Sequence, residues 1–339
     1  MKRRDLLKGL STLPVVLSPL AIGCKYIRDE AKNTAHYYLE PGEGNFGLDR
    51  YFNPLDELLP LPNDTINLVI LGDSGMGNAE QQRVADNIAD YHALYPVDAM
   101  IHTGDIIYPD GILDAQDPQA YTKFEHIYAN PRLTKSDGSY IPMIGSLGNH
   151  DHYGDPQALI DFANQHSEVL AMPSRFFKVT QTQISDSNLN VDIYVLDSYP
   201  FIKNRYCLDQ IAWLDKELRE STADHKIIVT HHPIRVYGQY EDNQYLVDTI
   251  GALAKQYNVT LCAAGHDHHL QLIESFDGTT YMVSGGGGGS LRKSGVGDGS
   301  VFSAPQYGAI AMQISSEGVR YIPIIEFDQT YPDYAYYQG

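Results

Sequence analysis

The chain has 339 residues, 43% hydrophobic and 20% charged, enough to bury a core in one large domain or two small ones. Its formal net charge of −19 argues against a nucleic-acid backbone as partner. With only 24 Lys and Arg in the whole chain, an anionic ligand needs another source of positive charge, and a metal ion is the natural candidate.

The N-terminus reads as a targeting segment, not as part of a fold. Lys2, Arg3 and Arg4 precede an apolar stretch from Leu10 to Ile22, too short to span a bilayer and interrupted by Pro14 and Pro19. R-R-D-L-L-K resembles a twin-arginine signal, and A-I-G-C, ending at Cys24, resembles a lipoprotein cleavage site with Ala21 where Leu is usual. Residues 1–24 are therefore expected to be a signal peptide exporting the chain from a bacterial cytoplasm to the periplasm or cell surface. A lipid anchor at Cys24 is the only membrane attachment expected; a plain signal peptide with an incidental cysteine is the alternative. Residues 25–60, polar and without clear periodicity, read as a tether or surface segment.

From residue 61 to 330 the pattern is that of one α/β domain. I-N-L-V-I-L-G-D (66–73) is a short apolar strand, and the stretch 79–91 is helical, with Val84, Ile88 and Tyr91 at helical spacing. A-M-I-H-T-G-D (99–105) and Y-I-P-M-I-G-S-L-G-N-H-D (140–151) follow as strands. V-D-I-Y-V-L-D-S (191–198) is another, and D-Q-I-A-W-L-D-K-E-L is an amphipathic helix with Ile211, Leu214 and Leu218 on one face. H-K-I-I-V-T-H-H-P (225–233) and V-T-L-C-A-A-G-H-D-H-H (259–269) are strands that end in histidines. T-Y-M-V-S, A-I-A-M-Q-I and R-Y-I-P-I-I-E-F supply late strands without clear helices between them, which predicts a layered sandwich of mixed sheets. The glycines Gly285–Gly289 predict a tight loop beside the site, residues 331–339 a Tyr-rich tail, and Cys207 and Cys262 buried free thiols.

Five apolar runs end in groups able to bind metal: Asp73, Asp105, Asn149-His150-Asp151, His231-His232, and His266 with His268. Alone, Asp73 reads equally as a helix cap and His231 as a hydrogen-bonded core histidine. Together, at the carboxyl ends of strands where α/β sheets gather ligands, carboxylate, amide and imidazole donors suit two hard or borderline cations. A single carboxylate can bridge such a pair.

The set G-D-S-G, G-D-I-I-Y, G-N-H-D, T-H-H-P and G-H-D-H resembles the calcineurin-like metallophosphoesterases over roughly residues 64–330. Tyr108, three residues after Asp105, makes the purple, or tartrate-resistant, acid phosphatases the closer likeness, and G-N-H-D-H-Y-G, M-P-S-R-F-F and Q-I-A-W-L-D support it. The resemblance implies a four-layer α/β/β/α sandwich of two mixed sheets with a binuclear site at the strands' carboxyl ends. It implies Asp73, Tyr108 and His268 on a first metal, Asn149, His231 and His266 on a second, and Asp105 bridging both. It also implies Fe(III) at the Tyr108 side and Fe(II), Zn or Mn beside it. The implied activity is acid phosphatase: in-line attack of metal-bound hydroxide on a phosphate monoester, with His150 as general acid and His152 and His232 near the substrate. Phosphorylated small molecules or phosphoproteins are the expected substrates. An exported phosphodiesterase or nucleotide hydrolase of the same superfamily is the alternative, and a phosphate- or metal-scavenging lipoprotein without turnover a third. The chain departs from the animal enzymes in carrying His232 where they have Tyr, and in the short stretch from Tyr199 to Gln210 where they have a longer loop.

Overall fold

The computed structural model describes residues 37–41, 45–47, 53–54, 64–204, 207–275, 278–325 and 334–338. Residues 1–24, expected to be a signal peptide, lie outside them with Cys24, as does most of 25–60. Among the described residues no helix is long and apolar enough to cross a membrane.

In chain order the strands are β1 (Tyr37–Leu39), β2 (Asn53–Pro54), β3 (Ile66–Leu71), β4 (Ala99–His102), β5 (Met143–Gly145), β6 (Leu170–Ala171), β7 (Phe177–Thr180), β8 (Val191–Val195) and β9 (His225–Val229). They continue as β10 (Leu261–Ala264), β11 (Leu270–Glu274), β12 (Thr280–Ser284), β13 (Ser294–Val296), β14 (Ser300–Ala304), β15 (Gly308–Ser315), β16 (Gly318–Ile325) and β17 (Tyr334–Gln338). The longer helices are α1 (Ala79–Leu94), α2 (Pro156–Gln165) and α3 (Leu208–Glu220). One sheet has the order β2-β17-β16-β15-β3-β4-β5-β6, the other β14-β11-β12-β10-β9-β8-β7, and β1 pairs separately with β13.

Both sheets are mixed. β3, β4, β5 and β6 run parallel, as do β8, β9, β10 and β12; β15, β16, β17, β11, β14 and β7 join antiparallel. The parallel strands are buried on both faces, so they read as unbroken apolar runs. Period-two alternation then divides the second sheet. Ile193, Val195, Ile227, Val229, Leu261 and Ala263 pack toward the first sheet, whereas Tyr194, Ile228 and Cys262 pack against Leu214 and Leu218 of α3 and Leu246 and Ile250 of the helical stretch 244–256. α1 covers β15 and β16 from the other side with Val84, Ile88 and Tyr91 buried, and α2 packs on β6. The layers are therefore helix, sheet, sheet, helix.

Local chemistry sets the helix ends. Asn78 caps α1 by accepting from the Gln81 N–H, and the helix stops at Tyr95, which is extended (φ −130°) because Pro96 follows. α2 starts on Asp155 with Pro156 in its first turn. Cys207 and Cys262 are both buried, and neither is in a disulfide.

The strands reach beyond residues 61–330. Two pieces of the 25–60 segment, β1 and β2, pair with β13 and β17, and the Tyr-rich tail carries β17, whose Arg320↔Tyr337 and Tyr321↔Tyr336 register extends the first sheet. Tyrosine favours strands, but these stretches lack alternation, so only their tertiary partners fix them.

Ile227, fully buried between the sheets, is expected to cost about 2–5 kcal/mol of stability when changed to Ala. Leu94→Ala, at a position 64% exposed, should cost less than about 0.5 kcal/mol. Urea unfolding of both variants beside the wild type checks the contrast, which equal midpoints would contradict.

Candidate metal centre

The two sheets bring the carboxyl ends of β3, β4 and β5 against those of β9 and β10. The chain turns sharply there. Asp73, Asp105 and His266 adopt left-handed φ values of 58°, 56° and 65°, although none is glycine. Strained non-glycine residues of this kind collect at functional sites, where surrounding contacts hold them. Glycines let the turns approach one another. A Cβ on Gly148 would lie 2.1 Å from Oδ1 of Asp105, and one on Gly289 would lie 2.8 Å from the His268 ring. Gly285–Gly289 do form a loop, and the Gly289 N–H donates to the Asp73 carbonyl at 2.8 Å.

The seven side chains expected at the centre come together in two groups. In the first, the Tyr108 hydroxyl lies 3.2 Å from Oδ1 of Asp73, 3.1 Å from Nε2 of His268 and 2.8 Å from Oδ2 of Asp105. In the second, Nε2 of His231 lies 3.0 Å from Oδ1 of Asn149, 3.2 Å from Nδ1 of His266 and 3.4 Å from that same Asp105 oxygen. One carboxylate oxygen thus faces both groups. Asp73, Asp105 and His231 also place a ligand atom each within 4.8 Å of one another.

Backbone carbonyls aim the imidazoles. Nδ1 of His231 meets the Thr103 carbonyl at 3.0 Å and Nδ1 of His268 meets that of Ser290 at 2.7 Å. Each Nδ1 then carries a proton, and each Nε2 is turned to the centre. Burial holds His231 and His266 down to about 3, so both are neutral donors.

The anionic groups are crowded. Burial pushes the Asp105 carboxyl well above the usual range, and the charges on Asp73 and Asp151 add to it. Burial also pushes Asp73 up, but the hydrogen bond and charge of His268 more than offset this and hold it low. Burial and the same two carboxylates push the Tyr108 phenol well up. Three oxygens of this kind in one dry space suit a cation, which would favour the ionised form of each. The donor set therefore fits two metal ions, with Asp105 between them.

Several further groups take supporting roles that the sequence did not specify. Asp151 is buried and accepts from the N–H groups of Gly148 (2.8 Å), Ile106 (3.0 Å) and Ile107 (3.1 Å), tying the Asn149 turn to the Asp105 turn. His102, fully buried, accepts the Gly104 N–H at Nδ1 (3.2 Å) and so donates from Nε2 to Ser74 Oγ (2.8 Å). His269 is fully buried.

A cavity of about 400 Å³ opens over the second group, lined by His150, His232, Tyr153, Tyr199, Lys203 and Arg292 among others. Nδ1 of His150 donates to the Pro109 carbonyl, its ring lies 4.3 Å from that of Tyr108, and its Nε2 is 3.9 Å from Asp105. Ser198 Oγ accepts the N–H groups of His231 and His232, so its own proton goes to Nδ1 of His232 at 2.9 Å, leaving the His232 proton on Nε2. His152 is not brought to the cavity. Its Nε2 bonds Asp197 at 2.9 Å and its ring stacks behind Tyr199 at 4.5 Å. Lys203 and Arg292 are the cavity's cations.

A family model described as calcineurin-like phosphoesterase matches residues 66–270, and the chain belongs to that family. Among curated relatives, purple acid phosphatase 7 of Arabidopsis thaliana is 30% identical over 248 residues, covering 67% of this chain and 72% of the relative. Tartrate-resistant acid phosphatase type 5 of Rattus norvegicus is 27% identical over 262 residues, covering 71% and 78%. Two solved structures are alike in fold. GAP50, the anchor in the inner membrane complex of Plasmodium, has TM-score 0.69 at 21% identity and covers 82% of this chain and 90% of its own. The purple acid phosphatase PPD1 of yellow lupin has TM-score 0.59 at 15% identity and covers 82% and 54%.

Replacing Asp151 by Ala leaves three buried N–H groups without their acceptor, each worth roughly 1–3 kcal/mol. The variant is expected to unfold at lower urea and to retain less metal by elemental analysis; unchanged metal content would contradict the role given to Asp151.

Burial holds His102 at about 4, against 6.5 unfolded. Its neutral form therefore contributes stability that is complete above pH 6.5 and is lost as pH falls toward 4, on the order of 3 kcal/mol. Urea unfolding of metal-free protein at pH 7 and pH 4, beside His102→Asn, measures that share. An identical acid loss in the variant would assign the loss elsewhere.

Proposed function

We propose that the chain is an acid phosphatase that hydrolyses phosphate monoesters at a centre of two cations. Asp73, Tyr108 and His268 would hold one, Asn149, His231 and His266 the other, with Asp105 shared. The observation that carries the reading is the position of Oδ2 of Asp105, 2.8 Å from the Tyr108 hydroxyl and 3.4 Å from His231. The family supplies phosphoester hydrolysis, and the relatives' names supply the acid phosphatase class. Bound there, the two ions would supply charge to neutralise phosphate oxygens and would acidify a water molecule.

The chain's own groups orient the rest. His150 has one proton committed to Pro109, so a second, on Nε2, is the one available to the departing oxygen. His232 can donate from Nε2 to a phosphate oxygen, and Lys203 and Arg292 draw an anion into an otherwise acidic molecule. Tyr108 favours a trivalent ion on its side. Its phenol is pushed well up by burial and two carboxylates, and only a strong Lewis acid would bind it as phenolate at acidic pH. Fe(III) there, with Fe(II), Zn or Mn in the second position, is the proposed loading.

Metal-loaded protein is expected to hydrolyse p-nitrophenyl phosphate best at acidic pH and to lose activity on chelation. His150→Ala should lower kcat by about 10²–10⁴-fold, most for esters with poor leaving groups. Tyr108→Phe should bleach an iron–phenolate absorption band. Full activity after chelation would sink the reading, and a colourless active wild type would sink its ferric part.

A further inference from the structure

An imidazole that is to hold a metal ion needs a partner that fixes the plane of its ring. For His231 and His268 the carbonyls of Thr103 and Ser290 do this at Nδ1. His266 is turned the other way. Its Nδ1 is the nitrogen that faces His231, and among the described residues no hydrogen bond holds its Nε2. What lies on the ring instead is Tyr240, nearly parallel to it at 19° with the ring centres 4.5 Å apart.

Tyr240 is itself tied down. Its N–H donates to Oδ2 of Asp267 at 3.2 Å, and Asp267 stands in the chain between His266 and His268. Asp267 is fully buried, and its other oxygen lies 3.7 Å from Nδ1 of the equally buried His269. The two Asp267 oxygens thus face Tyr240 and His269, which makes this carboxylate a support for the ligands on either side of it. Residues 237–240 pass directly against the pair. A Cβ on Gly238 would lie 2.0 Å from Oδ2 of Asp267 and 2.6 Å from Cε1 of His269, so only glycine allows so close an approach. Gln271 fixes the other end of the stretch, accepting the Tyr237 N–H at Oε1 and donating from Nε2 to the Tyr237 carbonyl, both at 2.9 Å. Arg292 completes the arrangement: its guanidinium lies 5.0 Å from the Tyr240 ring centre, and its Nη1 donates to the His266 carbonyl at 2.8 Å.

We propose that Asp267 and Tyr240 are positioning residues for the second cation. Asp267 fixes the stretch that carries Tyr240, and the Tyr240 ring keeps the His266 imidazole in the orientation that points Nδ1 at the centre. The inference rests on the two-cation reading above. The Tyr240 ring stacks on a donor of the second cation and on none of the first, so its loss is felt in one position only.

The metal-free full-length chain, titrated calorimetrically with Zn(II), is expected to take up two ions. Tyr240→Leu, at a residue 37% exposed, removes the ring without opening a cavity in the core. It should weaken one of the two binding steps by about 10–100-fold and leave the other unchanged. Asp267→Ala should do the same, whereas Tyr240→Phe, which keeps the ring, should bind both ions as the wild type does. In iron-loaded protein the absorption band of the Tyr108 phenolate should be the same in Tyr240→Leu as in the wild type, which assigns the weakened step to the second position. Two unchanged steps in Tyr240→Leu, equal weakening of both steps, loss of the phenolate band, or Tyr240→Phe as weak as Tyr240→Leu would overturn the inference. A wild type that takes up fewer than two ions would overturn the two-cation reading, and this inference with it.

Discussion

Buried negative charge without a counter-charge is the constraint around which this molecule is arranged. Asp73, Asp105 and Tyr108 bring their oxygens within about hydrogen-bond distance of one another in a space with almost no water access. His268 holds Asp73 ionised, but Asp105, buried and set among like charges, is pushed up. Only added cations would let every oxygen take its anionic form. The strained turns, the glycines in contact with ligand atoms and the carbonyls of Thr103 and Ser290 are all structure needed to keep those donors together when unaided electrostatics would spread them.

Much of this was legible in the sequence because parallel strands buried on both faces read as unbroken apolar runs, and their ends are marked by an abrupt change to Asp, Asn or His. That pattern predicted a layered sandwich of mixed sheets and marked six of the seven proposed ligands, whereas the four layers and Tyr108 were implied by the family resemblance. The failures are equally physical. β7 and β11 carry polar residues such as Lys178 and Gln271 and offer no continuous run. β1, β2 and β17 are fixed by partners distant in sequence. Thr103 and Ser290 act through carbonyls, which every residue possesses, so no pattern of side chains announces them. His152, three residues past Asn149, is turned away by Asp197, whose carboxylate is also bound by Arg175.

The distribution of charge gives the acidic chain a means of receiving an acidic substrate. Lys203 and Arg292 stand at the mouth, each against a tyrosine ring, at 5.5 Å from Tyr199 and 5.0 Å from Tyr240. Tyr199 is in turn stacked on His152, and Tyr240 on His266 at 4.5 Å. The rim is therefore braced on the same imidazoles that sit at or beside the centre. Loosening the rim and loosening the ligand set are not independent events.

The left-handed backbone at Asp73 and Asp105 bears on the kinds of change the centre can survive over generations. Aspartate and asparagine enter that region with little penalty because a short polar side chain satisfies itself locally, while longer or branched side chains do so far less readily. Glutamate has the same charge and the same donor atoms, yet at either position its longer side chain would meet a backbone cost of roughly 1–2 kcal/mol. The preference for aspartate at these two positions is therefore set by the main chain as well as by any ion.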